Sequence, residues 1–205
     1  MAIHQQILFA LPLPPPSFLT TWDPATLTNA TLSGGNLTVT GTVSNSAGGA
    51  RVADVSAKAI GKYYIETLLG QNFGTAIGVA VLGSAYLTLA NNVYTGGAVI
   101  SSWDGTMLVN GSNVGSITGA ANGARFGHAI DLDNRRIWFR VAPSGNWNNN
   151  ASYNPATNTG GWTLPSGSML PYLFPHSSGD VVTANFGASA FTGAVPSGFI
   201  AGWPI

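Results

Sequence analysis

Two short apolar runs with a period of two residues meet at a turn, and this constrains the chain more than any other feature. Residues 126–132 carry Phe126, His128, Ile130 and Leu132 at alternate positions, and residues 137–141 continue with Ile137, Phe139 and Val141. Successive strand side chains point to opposite faces, so alternation over such a stretch describes a half-buried strand. Asp133-Asn134 between the runs supplies residue types suited to a turn. The pattern predicts an antiparallel hairpin with the apolar set on one face and Arg136, Trp138 and Arg140 on the other.

The rest of the chain beyond Trp22 is punctuated in the same way. In residues 36–43, Leu37, Val39 and Val43 alternate with Thr38, Thr40 and Thr42, which predicts another half-buried strand. Residues 62–69 are rich in Tyr, Ile and Thr, types that fit a pleated surface. Residues 77–82 are apolar on both faces, as in a strand covered on both sides. Residues 99–102 and 106–109 flank Asp104-Gly105, and Asn110-Gly111 comes next as a second tight-turn dipeptide. Residues 181–186 read as a late strand ended by Gly187, and residues 44–56 read as loop or strand. No helical run exceeds about two turns and no repeat of 20 to 50 residues is present. Frequent Gly, Asn and Ser turns indicate a sandwich or barrel.

Composition narrows the partners. Of 205 residues only 7% are charged, seven basic against seven acidic, where an ordinary domain has about 25%. No basic field exists to attract nucleic acid or an anionic membrane. Hydrophobic residues make up 45% of the chain, enough for a core and against disorder. A near-neutral surface resists association poorly, which suits a member of an oligomeric assembly. Cysteine is absent, so disulfides and thiolate metal sites are excluded.

Residues 1–21 differ in character from the remainder of the chain. Ile7, Leu8, Phe9, Leu11 and Leu13 form an apolar stretch that Pro12 and Pro14-Pro15-Pro16 interrupt. Proline fixes φ and restricts the residue before it, so the segment is expected to be extended. No Lys or Arg precedes it and the apolar run is broken, so it is not read as a secretory signal. No run of 18 apolar residues is present, and no membrane insertion is expected. The division expected is an arm over residues 1–21 and a β domain over residues 22–205. The arm either lies across its own domain or inserts into a neighbouring subunit; in the second case the five apolar side chains are the anchor.

Several segments, in order, resemble the SPRY domain family. Gly61-Lys62-Tyr63-Tyr64-Ile65-Glu66 resembles its early GKxYxE strand, and Ile77-Gly78-Val79-Ala80 its later GIGV strand. Asp131-Leu132-Asp133-Asn134-Arg135-Arg136-Ile137-Trp138-Phe139 resembles the DxDxxxIxF hairpin. Leu170-Pro171-Tyr172-Leu173 and Asn185-Phe186-Gly187 resemble the closing pattern. The likeness spans residues 22–199. Trp22-Asp23-Pro24, Gly145-Asn146-Trp147 and residues 154–161 are similar to SPRY modules of phage and bacterial proteins, which tend to occur in virion surface or tail-associated proteins. The resemblance implies an all-β, SPRY-like sandwich of two antiparallel sheets with an extended N-terminal arm. It implies binding through loops rather than chemistry, and a virion or extracellular surface location. No ligand-contacting residue is carried over, because those loops differ in length here.

Motifs for chemistry are missing. The sequence contains no G-x-S-x-G elbow, no phosphate-binding loop and no dinucleotide fingerprint. His4, His128 and His176 lack metal-ligand spacing, and His128 falls on an apolar face, where a hydrogen-bonded core histidine is expected. Asp131 and Asp133 are followed by Arg135 and Arg136, which would repel a cation, so a turn with local side-chain hydrogen bonds is expected. Seven acids, mostly at turns or strand ends, make a paired-carboxylate hydrolase a poor fit. Neither a catalytic residue, a metal site nor a cofactor is therefore assigned. The sequons at Asn29, Asn36, Asn110 and Asn150 are of a kind that arises by chance in an Asn/Ser/Thr-rich chain.

The candidate binding residues are Trp147, Asn149, Tyr153 and Trp162, in or beside the polar segment 144–161. Aromatic rings beside amides can stack on sugars and hydrogen-bond their hydroxyls, or serve a protein interface. The competing expectation is that these rings fold back and cap the core. Long loops are often functional, which keeps the first in play. Two functions are compatible with these features. One is a non-enzymatic phage or phage-like virion component (decoration, spike or fibre-associated subunit) held to other virion proteins by its arm. The other is a carbohydrate- or receptor-binding module for host attachment.

Overall fold

The computed structural model describes residues 20–44, 48–71, 74–84, 96–101 and 104–205. The anchoring candidates Ile7, Leu8, Phe9, Leu11 and Leu13, and His4, lie outside the described residues. In chain order the strands are β1 (Ala30–Ser33), β2 (Thr38–Gly41), β3 (Ala50–Arg51), β4 (Lys62–Leu69), β5 (Ala76–Val81), β6 (Gly97–Ser101), β7 (Thr106–Val109), β8 (Ser112–Ser116), β9 (Arg125–Asp131), β10 (Arg136–Val141), β11 (Trp162–Thr163), β12 (Met169–Phe174), β13 (Val181–Asn185) and β14 (Ile200–Ala201). Helical structure among the described residues is confined to three-residue 3-10 turns at Pro24–Thr26, Asp54–Ser56, Trp147–Asn149 and Pro155–Thr157.

The strands form two sheets. The larger runs β1-β2-β13-β4-β9-β10-β11, and β14 adds parallel to the first half of β4; the smaller runs β3-β12-β5-β6-β7-β8. All other pairings are antiparallel. The fold is thus a sandwich of two antiparallel sheets, as the resemblance implied.

The hairpin forms in the predicted register, with Ile137 opposite Ile130, Phe139 opposite His128 and Val141 opposite Phe126. Opposed residues share a face, so Phe126, Ile130, Ile137 and Phe139 all enter the core between the sheets. Ile77, Val79, Val99, Leu170 and Tyr172 belong to the same cluster. Residues 132–135 form the connection, and Leu132 stays buried although it lies outside the strand. Asn110-Gly111 joins β7 to β8 with φ of 48° and 80°, the paired positive values that a two-residue hairpin turn requires.

Three ends need correction. The 36–43 alternation stops at Gly41, and Val43 is 43% exposed instead of lying in the core with Val39. The backbone passes Ser177 so closely at Gly41 that a Cβ there would lie 2.5 Å from the Ser177 carbonyl oxygen, and the chain turns out at this point. Leu82, read as part of a doubly covered strand, lies just beyond β5 and is exposed. Phe186 comes directly after the last residue of β13, yet its ring is in the core, edge-on to Trp22 with centroids 4.9 Å apart.

Candidate functional site

Alternation gives β4, β9 and β10 a second face, which points away from the core. On it stand Tyr64 and Glu66 of β4, Gly127 and Ala129 of β9, and Trp138 and Arg140 of β10. This face is covered as well. Tyr64, Ala129, Trp138 and Phe199 form a separate buried cluster, with Trp147, Tyr153, Phe191 and Val195 packed half-buried around it. The cover comes from two segments: the polar loop after β10 and the strap of residues 187–199 between β13 and β14.

Asn185 starts the strap. Its side-chain oxygen accepts from the Gly187 and Ser189 amides at 3.0 and 3.4 Å, and its nitrogen donates to the Ser189 and Ala190 carbonyls at 3.0 and 3.3 Å. Glu66 then pins the strap to the sheet. Its carboxylate is fully buried and accepts from the Thr192 amide at 3.0 Å, the Gly193 amide at 2.7 Å and the Tyr64 hydroxyl at 2.8 Å. Arg125 Nη1 stands 3.7 Å away. On the edge of this cluster, Arg140 donates from Nη2 to the Ala194 carbonyl at 2.7 Å, and its guanidinium lies 4.3 Å from the Trp147 ring centroid. Burying a carboxylate is costly unless it is paired and hydrogen-bonded; here three donors and a nearby guanidinium meet it. Burial pushes the Tyr64 hydroxyl well above its ordinary pKa. Close approach explains Gly127: a Cβ there would sit 2.6 Å from the Tyr64 hydroxyl.

The loop after β10 is pinned with equal care. Asn148, buried and at φ 47°, accepts from the Phe139 amide at 2.8 Å and donates to the Gly160 carbonyl at 3.2 Å. Its amide thus serves the edge of β10 where β11 no longer reaches. Trp138 Nε1 donates to the Thr159 carbonyl at 2.8 Å.

The four candidate binding residues are not gathered on one surface. Trp147 is half-buried, edge-on to Tyr64 with centroids 6.4 Å apart, and Tyr153 packs half-buried into the same outer cluster. Trp162 lies opposite Ile137 in β11 and packs on the inner core, across the sheet from the other two. Asn149 is exposed, at φ 58°. Sequence reasoning missed Tyr64, Glu66, Asn148, Arg140 and Phe191. For Glu66 a signal existed: an isolated acid at an alternate position of an otherwise weakly charged strand whose neighbouring outward residue is Tyr64.

The titratable residues weighed for chemistry hold structure together. His128 is fully buried; Nε2 shares a 2.8 Å hydrogen bond with the Thr67 hydroxyl, the ring lies edge-on to Phe139, and Nδ1 meets no partner. Burial pulls its pKa down to about 3. Asp131 accepts from the Asn134 amide and side chain, each at 2.9 Å, and pairs with Lys62 at 2.9 Å. Burial alone would raise its pKa, but these hydrogen bonds and the ammonium hold it below the usual value. Asp133 accepts from the Gly61 amide at 2.7 Å. Among the described residues no group of three or more His, Asp or Glu side chains is placed to hold a metal ion.

No family model matches the chain, and no curated protein is similar to it in sequence. Among solved structures, the chain is similar to the SPRY domain of human HERC1 at 14% identity and a TM-score of 0.63, over 80% of this chain and 96% of that one. It is also similar to the TRIM65 PSpry domain at 14% identity and a TM-score of 0.57, over 81% and 91% of the two chains. Two antiparallel sheets in this order, with few helical residues, are those of a SPRY-like fold.

Proposed function

We propose that the chain is a non-enzymatic interaction module: a phage or phage-like virion surface component that displays the SPRY-like sandwich and is held to other virion proteins by residues 1–21. One observation carries the non-enzymatic part. The buried ionisable groups Glu66, Asp131, His128 and Arg140 each direct hydrogen bonds to the chain's own backbone or side chains. A catalytic acid or base must instead reach a substrate proton. The virion part rests on the apolar, proline-interrupted segment with Ile7, Leu8, Phe9, Leu11 and Leu13, on the low charge, and on the phage-like sequence features.

The test is a pull-down from source lysate, read by mass spectrometry, with the full chain and a form lacking residues 1–19. Thr20 is kept because its buried hydroxyl donates to the Trp203 carbonyl. Capture of capsid or tail proteins by the full chain only is the expected result. Equal capture by both forms would remove the arm from the mechanism.

A second reading, a carbohydrate- or receptor-binding module, is favoured by one observation. Exposed Asn146, Asn149 and Asn150 edge the half-buried Trp147 and Tyr153 on one loop, which sets amide donors and acceptors beside aromatic surface. Loss of glycan or host-cell binding in a Trp147→Ala, Tyr153→Ala double variant that keeps its melting temperature would support it.

A further inference from the structure

The strap between β13 and β14 lies on the larger sheet in the manner of an extended peptide. β13 pairs with residues 66–69 of β4 and β14 with Tyr63 and Tyr64, so the chain leaves the sheet after Asn185 and returns at Ile200. In between, burial alternates. Phe191 and Val195 are half-buried, Gly193 is buried, and Thr192 and Ala194 are exposed. Positions two apart share a face of an extended chain, so residues 191, 193 and 195 face the sheet. Phe191 stands edge-on to Tyr64 with centroids 5.0 Å apart, and Val195 packs on the same outer cluster. Charged side chains hold the backbone between them: Glu66 accepts from the Thr192 and Gly193 amides, and Arg140 donates to the Ala194 carbonyl. Space rather than conformation asks for glycine at 193, because its φ is not positive. A Cβ there would lie 2.7 Å from Arg140 Nη2, 2.8 Å from the Tyr64 hydroxyl and 3.2 Å from Glu66 Oε1. Each of the three groups is engaged in a hydrogen bond, so none yields freely.

We propose that this face of the larger sheet is a peptide-recognition site that the strap fills from within the chain, and that its external partner is an extended segment with an aromatic residue, a glycine and a branched aliphatic residue at alternate positions. The strap itself sets that pattern, Phe191-Thr192-Gly193-Ala194-Val195. Two features favour recognition over mere covering. A cover that only excludes water needs no buried charge, and burying charge is costly. Here a carboxylate and a guanidinium are spent on main-chain amides and a carbonyl, the groups every peptide presents. The strap is also lightly held. It joins no strand, and most of its residues from 188 to 198 are exposed, which places its opening at the low end of local stability.

The test opens the site in the full chain. Gly193→Val sets a branched side chain against Arg140, Tyr64 and Glu66 and should lift the strap, read as new limited-proteolysis cuts within residues 187–199 in a protein that keeps a cooperative melting transition. The probe is a labelled peptide of residues 190–196, beside the same peptide carrying Gly193→Val. The glycine peptide should bind the opened chain at least about tenfold more tightly than the wild type, where the strap competes at an effective concentration on the order of millimolar. The valine peptide should bind the opened chain at least about tenfold more weakly than the glycine peptide. Three results overturn the proposal: a folded Gly193→Val chain whose strap stays protease-resistant, two peptides that bind alike or not at all, or an opened chain that takes up a wild-type chain in preference to the peptide, which would make the occupant a second copy. If Gly193→Val does not fold, amide exchange in the wild type decides. Exchange of the Thr192 and Gly193 amides that quickens with peptide concentration supports the site, and exchange that excess peptide leaves unchanged overturns it. Residues 1–21 take no part in this site, so failure here and failure of the lysate pull-down are distinct.

Discussion

Acidification should destabilise this domain through one residue. His128 has an ordinary pKa of 6.5, and burial among Phe139, Thr67 and Ile65 lowers it to about 3 in the folded chain. In the imidazolium both ring nitrogens donate, and Nδ1 has no acceptor. The folded state therefore binds fewer protons than the unfolded state between the two values. The stabilisation is complete above the unfolded pKa and is lost as pH falls from about 6.5 toward 3. At pH 5 the loss relative to pH 7.5 comes to about 2 kcal/mol, and the full shift corresponds to about 5 kcal/mol. The assay is urea denaturation at pH 7.5, 6 and 5 for the wild type and for His128→Gln, which keeps an amide near the Thr67 hydroxyl but cannot titrate. The wild type should lose about 2 kcal/mol more than the variant over this range. Asp131 does not confuse the result. Its lowered folded pKa gives stability that is present above its ordinary value of 3.8 and fades only below it. Parallel pH dependence in the two proteins would refute the argument and mean that the folded state accommodates the imidazolium.

Phe139→Ala should cost about 3 to 5 kcal/mol in the same assay, because the ring is fully buried between the sheets; a cost of about 1 kcal/mol or less would contradict that placement. Glu66→Ala should cost about 3 to 5 kcal/mol, by stranding the Thr192 and Gly193 amides, and should expose residues 187–199 to limited proteolysis; a resistant strap would show that Arg140 and the outer cluster suffice to hold it. Gly127→Ala should cost about 1 to 3 kcal/mol through its collision with the Tyr64 hydroxyl, and combined with Tyr64→Phe it should cost less than the sum of the two changes; strict additivity would place the strain elsewhere.

The sequence by itself determined whatever depends on neighbours along the chain. The β9–β10 register, the bounds of β4 and the Asn110-Gly111 turn were all legible, because side-chain alternation and turn chemistry act over a few residues. The same local rules misplaced Val43, since its fate is set by the approach of Ser177 to Gly41 from 136 positions away in the chain (177 against 41). Only the tertiary structure decided that the second face of the larger sheet is closed. Alternation correctly put Trp138 and Arg140 opposite Phe139, but nothing local says that the strap and the loop after β10 return to cover them. That closure turns Glu66 from a surface acid into a latch and divides Trp147 and Tyr153 from Trp162 across a sheet. Burial on this face depends on contacts between segments distant in sequence, and periodicity carries no record of which segments those are.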